Sequence, residues 1–469
     1  MTETGATAPS PGRPGLVLAI CCTSLFLVTV DGSIVHVALP GIQRDLGGGV
    51  NGLQWVVDGY LMVMASLLVL AGSVADRLGR RRVFVTGLVV FGASSLLCGL
   101  APSVPVLVAA RVVQGVGAAM LNPVALSIIV GVYPDVRRRA RAIGAWSAVS
   151  GLGVAAGPPL GGLVVELGGW RWVFLVAVPI AALAIALTLR FVPESRSPEP
   201  RPADPLGQLL LTLVVAGLVV SLIEGPHRGW TGPVLGAVAV TVLSLVVFVR
   251  HGLRHPVPLI DPRLFRSRGL PVAVGSAIGG FACFGGALFA LSLTLQQGSS
   301  YDALEAGLLV LPLGLAALAT SPWVGPLVGR GHARACLAAA GLLLTLALVG
   351  LGLVLGDGSP RPSMPLLVLV LVAFGVGFGL LNPPVTATAI AGLPPERSGV
   401  AGAIASTSRN LGTALGVALA GSLVAADAPG WLVWAGLALG GLVVLGLAAV
   451  APTARPAPAA SAALEPVGR

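Results

Sequence analysis

Apolar runs of about 20 residues recur along the whole chain and are separated by short polar connections. An α-helix of about 20 residues crosses the ~30 Å hydrocarbon core of a bilayer. The pattern therefore predicts an all-α polytopic membrane protein with about fourteen transmembrane helices. The expected spans are residues 15–39, 53–75, 83–102, 106–132, 142–165, 171–191, 206–223, 231–249, 271–296, 304–327, 335–355, 364–386, 398–424 and 430–451.

The composition agrees with a lipid environment. Hydrophobic residues make up 55% of the 469 residues, and charged residues only 10%. A soluble chain of this length would carry much more charge on its surface. The first apolar run contains Asp31 and is longer than the apolar region of a secretory signal, so we expect it to remain as the first span. The five cysteines show no C-x-x-C or Cys/His spacing, so we expect no metal site.

Arginine placement predicts the orientation of the spans. All 28 basic residues are arginine, and 22 of them fall in segments that are cytoplasmic if the N-terminus is inside. The outer segments hold only Arg44, Arg171, Arg228 and Arg361. We therefore expect both termini in the cytoplasm. These loops account for the net charge of +10, and because no basic domain interleaved with aromatic residues is present, we expect no nucleic-acid partner.

A sequence repeat divides the spans into two sets. Gly115–Gly117 and Leu121–Pro123 in the fourth span recur as Gly375–Gly377 and Leu381–Pro383 in the twelfth span, at one offset of 260 residues. We expect two six-helix halves related by this repeat, with two inserted helices between them. The expected division is a cytoplasmic N-terminal tail (1–14), a first six-helix half (15–192), a linker with two inserted helices (193–250), a cytoplasmic connection (251–270), a second six-helix half (271–452) and a C-terminal tail (453–469).

Five segments carry recognisable motifs, namely Val30–Pro40 in the first span, Gln54–Tyr60 in the second, Gly72–Arg82 in the loop after it, Arg111–Gly117 in the fourth span and Gly153–Gly162 in the fifth. Together they resemble signatures of the major facilitator superfamily, specifically its fourteen-span drug:proton antiporter branch. The resemblance implies a secondary transporter that exports its substrate at the expense of a proton gradient. One departure is Ser406–Gly412 in the thirteenth span, which lacks the acid found in some cation exporters and so disfavours export of dications.

Ionisable residues inside spans are costly and therefore indicate function. Asp31, Asp58 and Arg111 are expected about 8–12 Å below the outer surface, where they form a candidate proton-coupling cluster. We expect Asp31 to be the main proton-handling residue, tuned by Arg111, with Asp58 secondary. The alternatives are a static Asp31–Arg111 ion pair that joins helices and an idle, wetted Asp58.

Several polar and aromatic side chains are candidates for substrate binding. Each has an alternative, which is hydrogen bonding between helices for the amides, an interfacial aromatic belt for the tryptophan and tyrosine, and pairing with an acid for the arginine. The candidates are Trp55, Tyr60, Gln114, Asn122, Asn382, Arg409 and Asn410.

The loop after the second span is a candidate gate. We expect Asp76 to accept hydrogen bonds from a helix N-terminus across the cytoplasmic mouth. Its arginines either pair with acids such as Asp135 or Glu396 or only set the topology, and a Gly-Pro pair in the fifth span should kink that helix. The gating candidates are Gly72, Asp76, Arg77, Gly79, Arg80, Gly157 and Pro158.

No enzymatic or nucleotide-binding motif is present, so we expect no enzyme and no cofactor besides the proton gradient. The predicted function is proton-coupled antiport that exports small amphiphilic organic molecules such as drugs or antibiotics. The alternatives are a proton-coupled transporter of a defined metabolite and a non-transporting membrane sensor or lipid-handling protein. The expected partners are a small organic substrate, protons and lipid, for a monomer that spans the bacterial cytoplasmic membrane many times.

Overall fold

The computed structural model describes residues 13–197, 202–298, 301–356, 363–391 and 395–452, and describes side chains for all of these except 395–399. Regular structure in these residues is helical, without a strand. This confirms the predicted all-α multi-span class. The long helices are α1 (Pro14–Leu46), α2 (Gly49–Leu78), α3 (Arg80–Gly99), α4 (Val104–Val132), α5 (Val136–Gly168), α6 (Arg171–Phe191), α7 (Pro205–Arg228), α8 (Gly232–Arg254), α9 (Gly269–Leu293), α10 (Ala303–Gly329), α11 (Ala333–Leu355), α12 (Met364–Ile390), α13 (Pro395–Ala425) and α14 (Gly430–Val450).

Thirteen of these helices are long and apolar enough to cross a membrane. The helix outside that set is α13, which carries the polar run Ser406–Asn410. Several helices extend past the expected spans, as α1 does by reaching Leu46. An apolar run marks only the part of a helix that is embedded in lipid, whereas the backbone hydrogen bonds of the helix continue into the polar sequence that follows.

Acidic N-caps fix the starts of three helices. The carboxylates of Asp135 and Asp204 accept backbone N–H groups at the starts of α5 and α7. At the start of α10, Asp302 accepts the Glu305 N–H at 2.7 Å, and the Glu305 side chain accepts the Asp302 N–H at 3.1 Å. These bonds satisfy backbone donors that have no partner within the helix, and so define where each helix begins.

The helices pack as two groups, which we call the first bundle (α1–α6) and the second bundle (α9–α14). In the first bundle α1 runs along α5, while α2 and α3 pack on α4. In the second bundle α9 runs along α13, while α10 and α11 pack on α12. The bundles meet along two seams, α2 with α13 and α5 with α10. Helix α7 packs on both members of the α2–α13 seam, and α8 packs on α7.

Several close contacts between the bundles lie towards the end of the molecule where α1 ends and α2 begins. A Cβ at Gly307 of α10 would lie 2.4 Å from the carbonyl oxygen of Pro158, so the helix backbones touch there. Gln54 donates to the Ala418 carbonyl at 2.9 Å, and Gln296 to the Val37 carbonyl at 3.1 Å. At the other end, residues 136–148 of α5 are mostly exposed.

Candidate functional site

A buried polar network occupies the centre of the first bundle. Arg111 on α4 donates through one guanidinium nitrogen to Asp31 on α1 at 2.6 Å and to Gln114 at 2.6 Å. Gln114 donates in turn to the second oxygen of Asp31 at 3.0 Å and to Ser95 at 2.8 Å. The side chains of Arg111 and Asp31 are 1% and 4% exposed. The predicted Asp31–Arg111 contact is therefore present, with an amide bridge that closes it into a ring.

Further contacts fix the guanidinium of Arg111 from α2 and α6. Its Nε donates to the Val56 carbonyl at 3.0 Å, and its Cζ lies 4.2 Å from the centroid of the Tyr60 ring. The Phe174 ring lies 5.7 Å away. A buried ion pair is stable only if its remaining donors and acceptors are satisfied, and these contacts meet that condition. Tyr60, expected as a substrate contact, is fully buried against Arg111.

Asp58 lies apart from this network. It is 0% exposed, and neither carboxylate oxygen has a hydrogen-bond partner in the part of the chain that the structure describes. Asp58 lies one helical turn beyond Gln54, on the side of α2 where Gln54 bonds to α13. The structure thus joins Asp31 and Arg111, whereas helical spacing puts Asp58 on the face of α2 from which Gln54 bonds to α13. A wetted Asp58, the alternative considered from the sequence, does not fit this burial.

Arg409 is the charged residue in the middle of α13. It donates to Thr386 of α12 at 2.5 Å and lies 3.5 Å from the hydroxyl of Ser406. Its Cζ lies 6.0 Å from the Phe281 ring centroid. It forms no ion pair with any described residue, and its buried Nε has no acceptor there. Pairing with an acid, the alternative for Arg409, is therefore not seen.

The family of the chain follows from comparison with known proteins. The model of the family described as Major Facilitator Superfamily matches residues 21–417. The chain belongs to the major facilitator superfamily. It is therefore a multi-pass membrane transporter of small molecules and not an enzyme, as the sequence predicts.

Relatives of this superfamily member are named as drug-resistance proteins. Multidrug resistance protein Stp of Mycobacterium tuberculosis is 38% identical over 418 residues, which cover 88% of this chain and 76% of Stp. The methylenomycin A resistance protein of Streptomyces coelicolor is 37% identical over 428 residues, which cover 89% of this chain and 88% of that protein. A crystal structure of a POT family transporter in complex with 5-aminolevulinic acid matches with a TM-score of 0.71 at 16% identity, covering 92% and 94% of the two chains. That likeness shows the fold.

The loop after α2 is attached to its own bundle in this superfamily member. Asp76 forms an ion pair with Arg80 at 3.0 Å instead of capping a helix of the second bundle. Gly79 has φ +113°, and a Cβ there would lie 2.6 Å from the carboxylate of Glu194, so only glycine fits. A Cβ at Gly72, by contrast, would meet no atom within 4 Å.

The other gating candidates lie near these contacts. Arg77 lines a groove with Arg82 and Arg196. Asp135, an expected partner of the loop arginines, caps α5 instead, while the side chain of Glu396 lies outside the described residues.

The Gly-Pro pair of α5 faces two neighbours. A Cβ at Gly157 would overlap the Ser33 hydroxyl of α1, and the Pro158 carbonyl contacts Gly307 of α10. Helix α5 is continuous through both residues, so the close approach to α1 and α10 is their clearest structural role.

The remaining substrate candidates have mixed surroundings. Trp55 donates to Glu224 of α7 at 2.7 Å and thereby links α2 to α7. Asn122, Asn382 and Asn410 are half-buried, and the buried side-chain oxygen of Asn122 lacks a partner in the described chain. Sequence reasoning missed Glu224, whose signal was an acid directly after the seventh apolar run.

Proposed function

We propose that this transporter is a proton-coupled antiporter of the fourteen-span drug:proton branch, which exports small amphiphilic organic molecules such as drugs or antibiotics. The observation that carries the proposal is the buried carboxyl group of Asp58, which has no hydrogen-bond partner among the described residues and lies on the face of α2 that Gln54 turns towards α13. The resistance proteins related to this chain supply the substrate class. The driving force is the proton gradient, without a cofactor.

Asp58 is the residue at which the proton binds. An ionised carboxylate without a partner is costly in a medium of low dielectric constant, so Asp58 carries a proton in this arrangement. Both oxygens of Asp31, by contrast, accept hydrogen bonds from Arg111 and Gln114. This geometry favours the reverse of the order expected from the sequence, in which Asp31 was the main proton-handling residue.

Movement of the bundles couples the proton to the substrate. Asp58 lies on the α2–α13 seam, so relative motion of the bundles changes the access of water to its carboxyl group. Loss of the proton leaves an ion that is stable only in a wetted seam, and proton binding favours the closed seam. A substrate that binds between the bundles when Asp58 is deprotonated, and leaves when it is protonated, is exchanged for a proton.

The packing of the helices supports the architecture proposed from the sequence. The helix pairs of the first bundle have counterparts in the second, as α1 with α5 corresponds to α9 with α13. We infer that the bundles are related six-helix halves, with α7 and α8 inserted, within the domain limits expected from the sequence. With both termini cytoplasmic in a bacterial inner membrane, the tight ends of the seams face outward, so this arrangement is open to the cytoplasm. A monomer contains the complete site.

A drug-susceptibility panel in a pump-deficient bacterial host tests this proposal. Cells with the wild-type transporter should resist several amphiphilic compounds, and inverted vesicles from them should accumulate these compounds when their interior is acidified. Asp58→Asn should abolish both effects at equal expression. The matched control is Glu166→Gln, at an exposed acid of α5. A wild-type protein that neither protects cells nor moves any compound in vesicles would contradict export and favour a metabolite transporter or a sensor.

A further inference from the structure

Arg409 is an ion in the membrane interior, and no acid among the described residues forms an ion pair with it. The second bundle carries acids only near its helix ends, at Asp302, Glu305, Asp357, Glu396 and Asp427. Glu396 begins the same helix, but thirteen residues separate it from Arg409, which is about 20 Å along the axis. A guanidinium stays protonated under all physiological conditions, so Arg409 cannot avoid its charge by losing a proton. An unpaired charge at this depth is costly unless a bound ligand supplies the counter-charge.

An aromatic cluster lies beside this charge. Phe284 and Phe378 stack with ring centroids 4.3 Å apart, and Phe281 lies edge-on to Phe378 at 5.1 Å. Phe281 is the ring that approaches the guanidinium of Arg409. The rings of α9 and α12 form an apolar wall next to the cation of α13, and Phe281 is the partly exposed ring of this wall, whereas Phe284 and Phe378 are buried.

The free donors of Arg409 suit a planar anion. Thr386 takes one terminal nitrogen at 2.5 Å, whereas the contact of the other with Ser406 is long, at 3.5 Å, and the Nε lacks an acceptor in the described chain. A guanidinium with unused N–H groups can donate charge-assisted hydrogen bonds to the oxygens of a carboxylate. The same charge repels cations, and no acidic side chain on α9–α14 lies at this depth to attract them.

We propose that Arg409 binds the anionic group of the exported compound, and that preferred substrates are amphiphiles with one carboxylate beside an apolar ring system. This inference rests on the proposed export function and specifies its substrate class. Helix α13 also packs on α2, which carries Asp58. An anion bound at Arg409 is therefore attached to the helix that moves relative to Asp58 when the bundles move.

Three fluorescent probes in inverted, acidified vesicles test this inference. They are 7-diethylaminocoumarin-3-carboxylate, its neutral ethyl ester, and the cation ethidium. Wild-type vesicles should accumulate the carboxylate at a lower concentration than the ester. Arg409→Gln should lower uptake of the carboxylate at least about tenfold, because a charge-assisted hydrogen bond contributes about 1.5–3 kcal/mol. It should change uptake of the ester less than about twofold. Arg409→Lys should give an intermediate value, because the charge stays and the paired donors are lost.

The control is Arg334→Gln, an exposed arginine at the start of α11, which should behave as wild type. Ester uptake by Arg409→Gln shows that this variant is folded and active. Equal losses of carboxylate and ester in both Arg409 variants would assign a structural role to the arginine and overturn the inference. Uptake of ethidium without uptake of the carboxylate would overturn it as well, but would leave export standing. Failure of all three probes in the wild type would count against export itself.

Discussion

Two aspartates of the first bundle have opposite surroundings. Asp31 has both oxygens bonded within a ring of side chains, and Asp58 has neither oxygen bonded in the described chain. Sequence reasoning identified both residues and placed Arg111 at the same depth, because depth follows from helical rise alone. It could not assign Asp58 to the seam, because the rotation of α2 about its axis is set by packing, here by the bond from Gln54 to α13.

This difference predicts that replacing the two aspartates affects the stability of the fold to very different extents. Asp31→Asn should destabilise the protein by about 3–5 kcal/mol, because it leaves the buried Arg111 without its counter-ion. Asp58→Asn should leave stability nearly unchanged, because it removes no contact. Thermal unfolding of the detergent-purified proteins, followed by fluorescence-detected size exclusion, measures both. Equal melting temperatures for Asp31→Asn and the wild type would contradict the assigned role of the network.

Helix α7 is hydrogen-bonded to both helices of the α2–α13 seam. Gln208 donates to the Ser66 carbonyl of α2 at 2.8 Å, Glu224 accepts from Trp55 of α2, and Ser422 of α13 donates to the Leu222 carbonyl at 3.0 Å. The sequence predicted an inserted helix pair but not where it would pack. An apolar run shows that a helix is embedded in lipid. Which helix it packs against depends on a few polar contacts between segments that are distant in the sequence.

The start of α7 is fixed by Asp204. Burial raises the pKa of its carboxyl group, but hydrogen bonds from the backbone N–H groups of Gly207 and Leu259 and from His251 of α8 lower the pKa further, so the net pKa is below its usual value. The same carboxylate therefore joins α7, α8 and the connection to the second bundle.

This carboxylate predicts a pH dependence of stability. Because the pKa is lowered in the folded state, the stabilisation is fully present above the unfolded pKa of about 3.9 and is lost as pH falls through the folded pKa. Asp204→Asn keeps the cap but removes the charge. The variant should melt at a lower temperature than the wild type at pH 7, and the difference should shrink below about pH 4. A difference that stays constant from pH 7 to pH 3 would contradict this role.

At the scale of the whole molecule, the order of the helices could be predicted from the sequence. The end at which the two bundles close on each other could not. Length and hydropathy gave the helix number, and the repeat gave the grouping that packing now supports. Which end of the seams closes depends on contacts such as Gly307 against Pro158, which join residues distant in the sequence.

Topology is testable by cysteine labelling of intact cells. In a cysteine-free variant, Arg138→Cys should resist a membrane-impermeant maleimide, because the start of α5 is cytoplasmic in the proposed orientation. Trp230→Cys, between α7 and α8, should react, since Trp230 is exposed and lies outside in the proposed orientation. Permeabilised cells provide the control, in which both positions should react. Reaction of position 138 in intact cells would contradict the fourteen-span orientation.

Proton release from purified protein tests the coupling mechanism most directly. The wild-type transporter, in detergent and weak buffer with a pH indicator, receives the compound to which it gives the strongest resistance. Binding should release protons from the wild type. Asp58→Asn resembles the protonated state, so it should bind the compound more weakly and release no protons even when binding is saturated. Asp31→Asn, where it remains folded, should still release protons. Wild-type proton release from Asp58→Asn would contradict the assignment of the proton to the seam between the bundles.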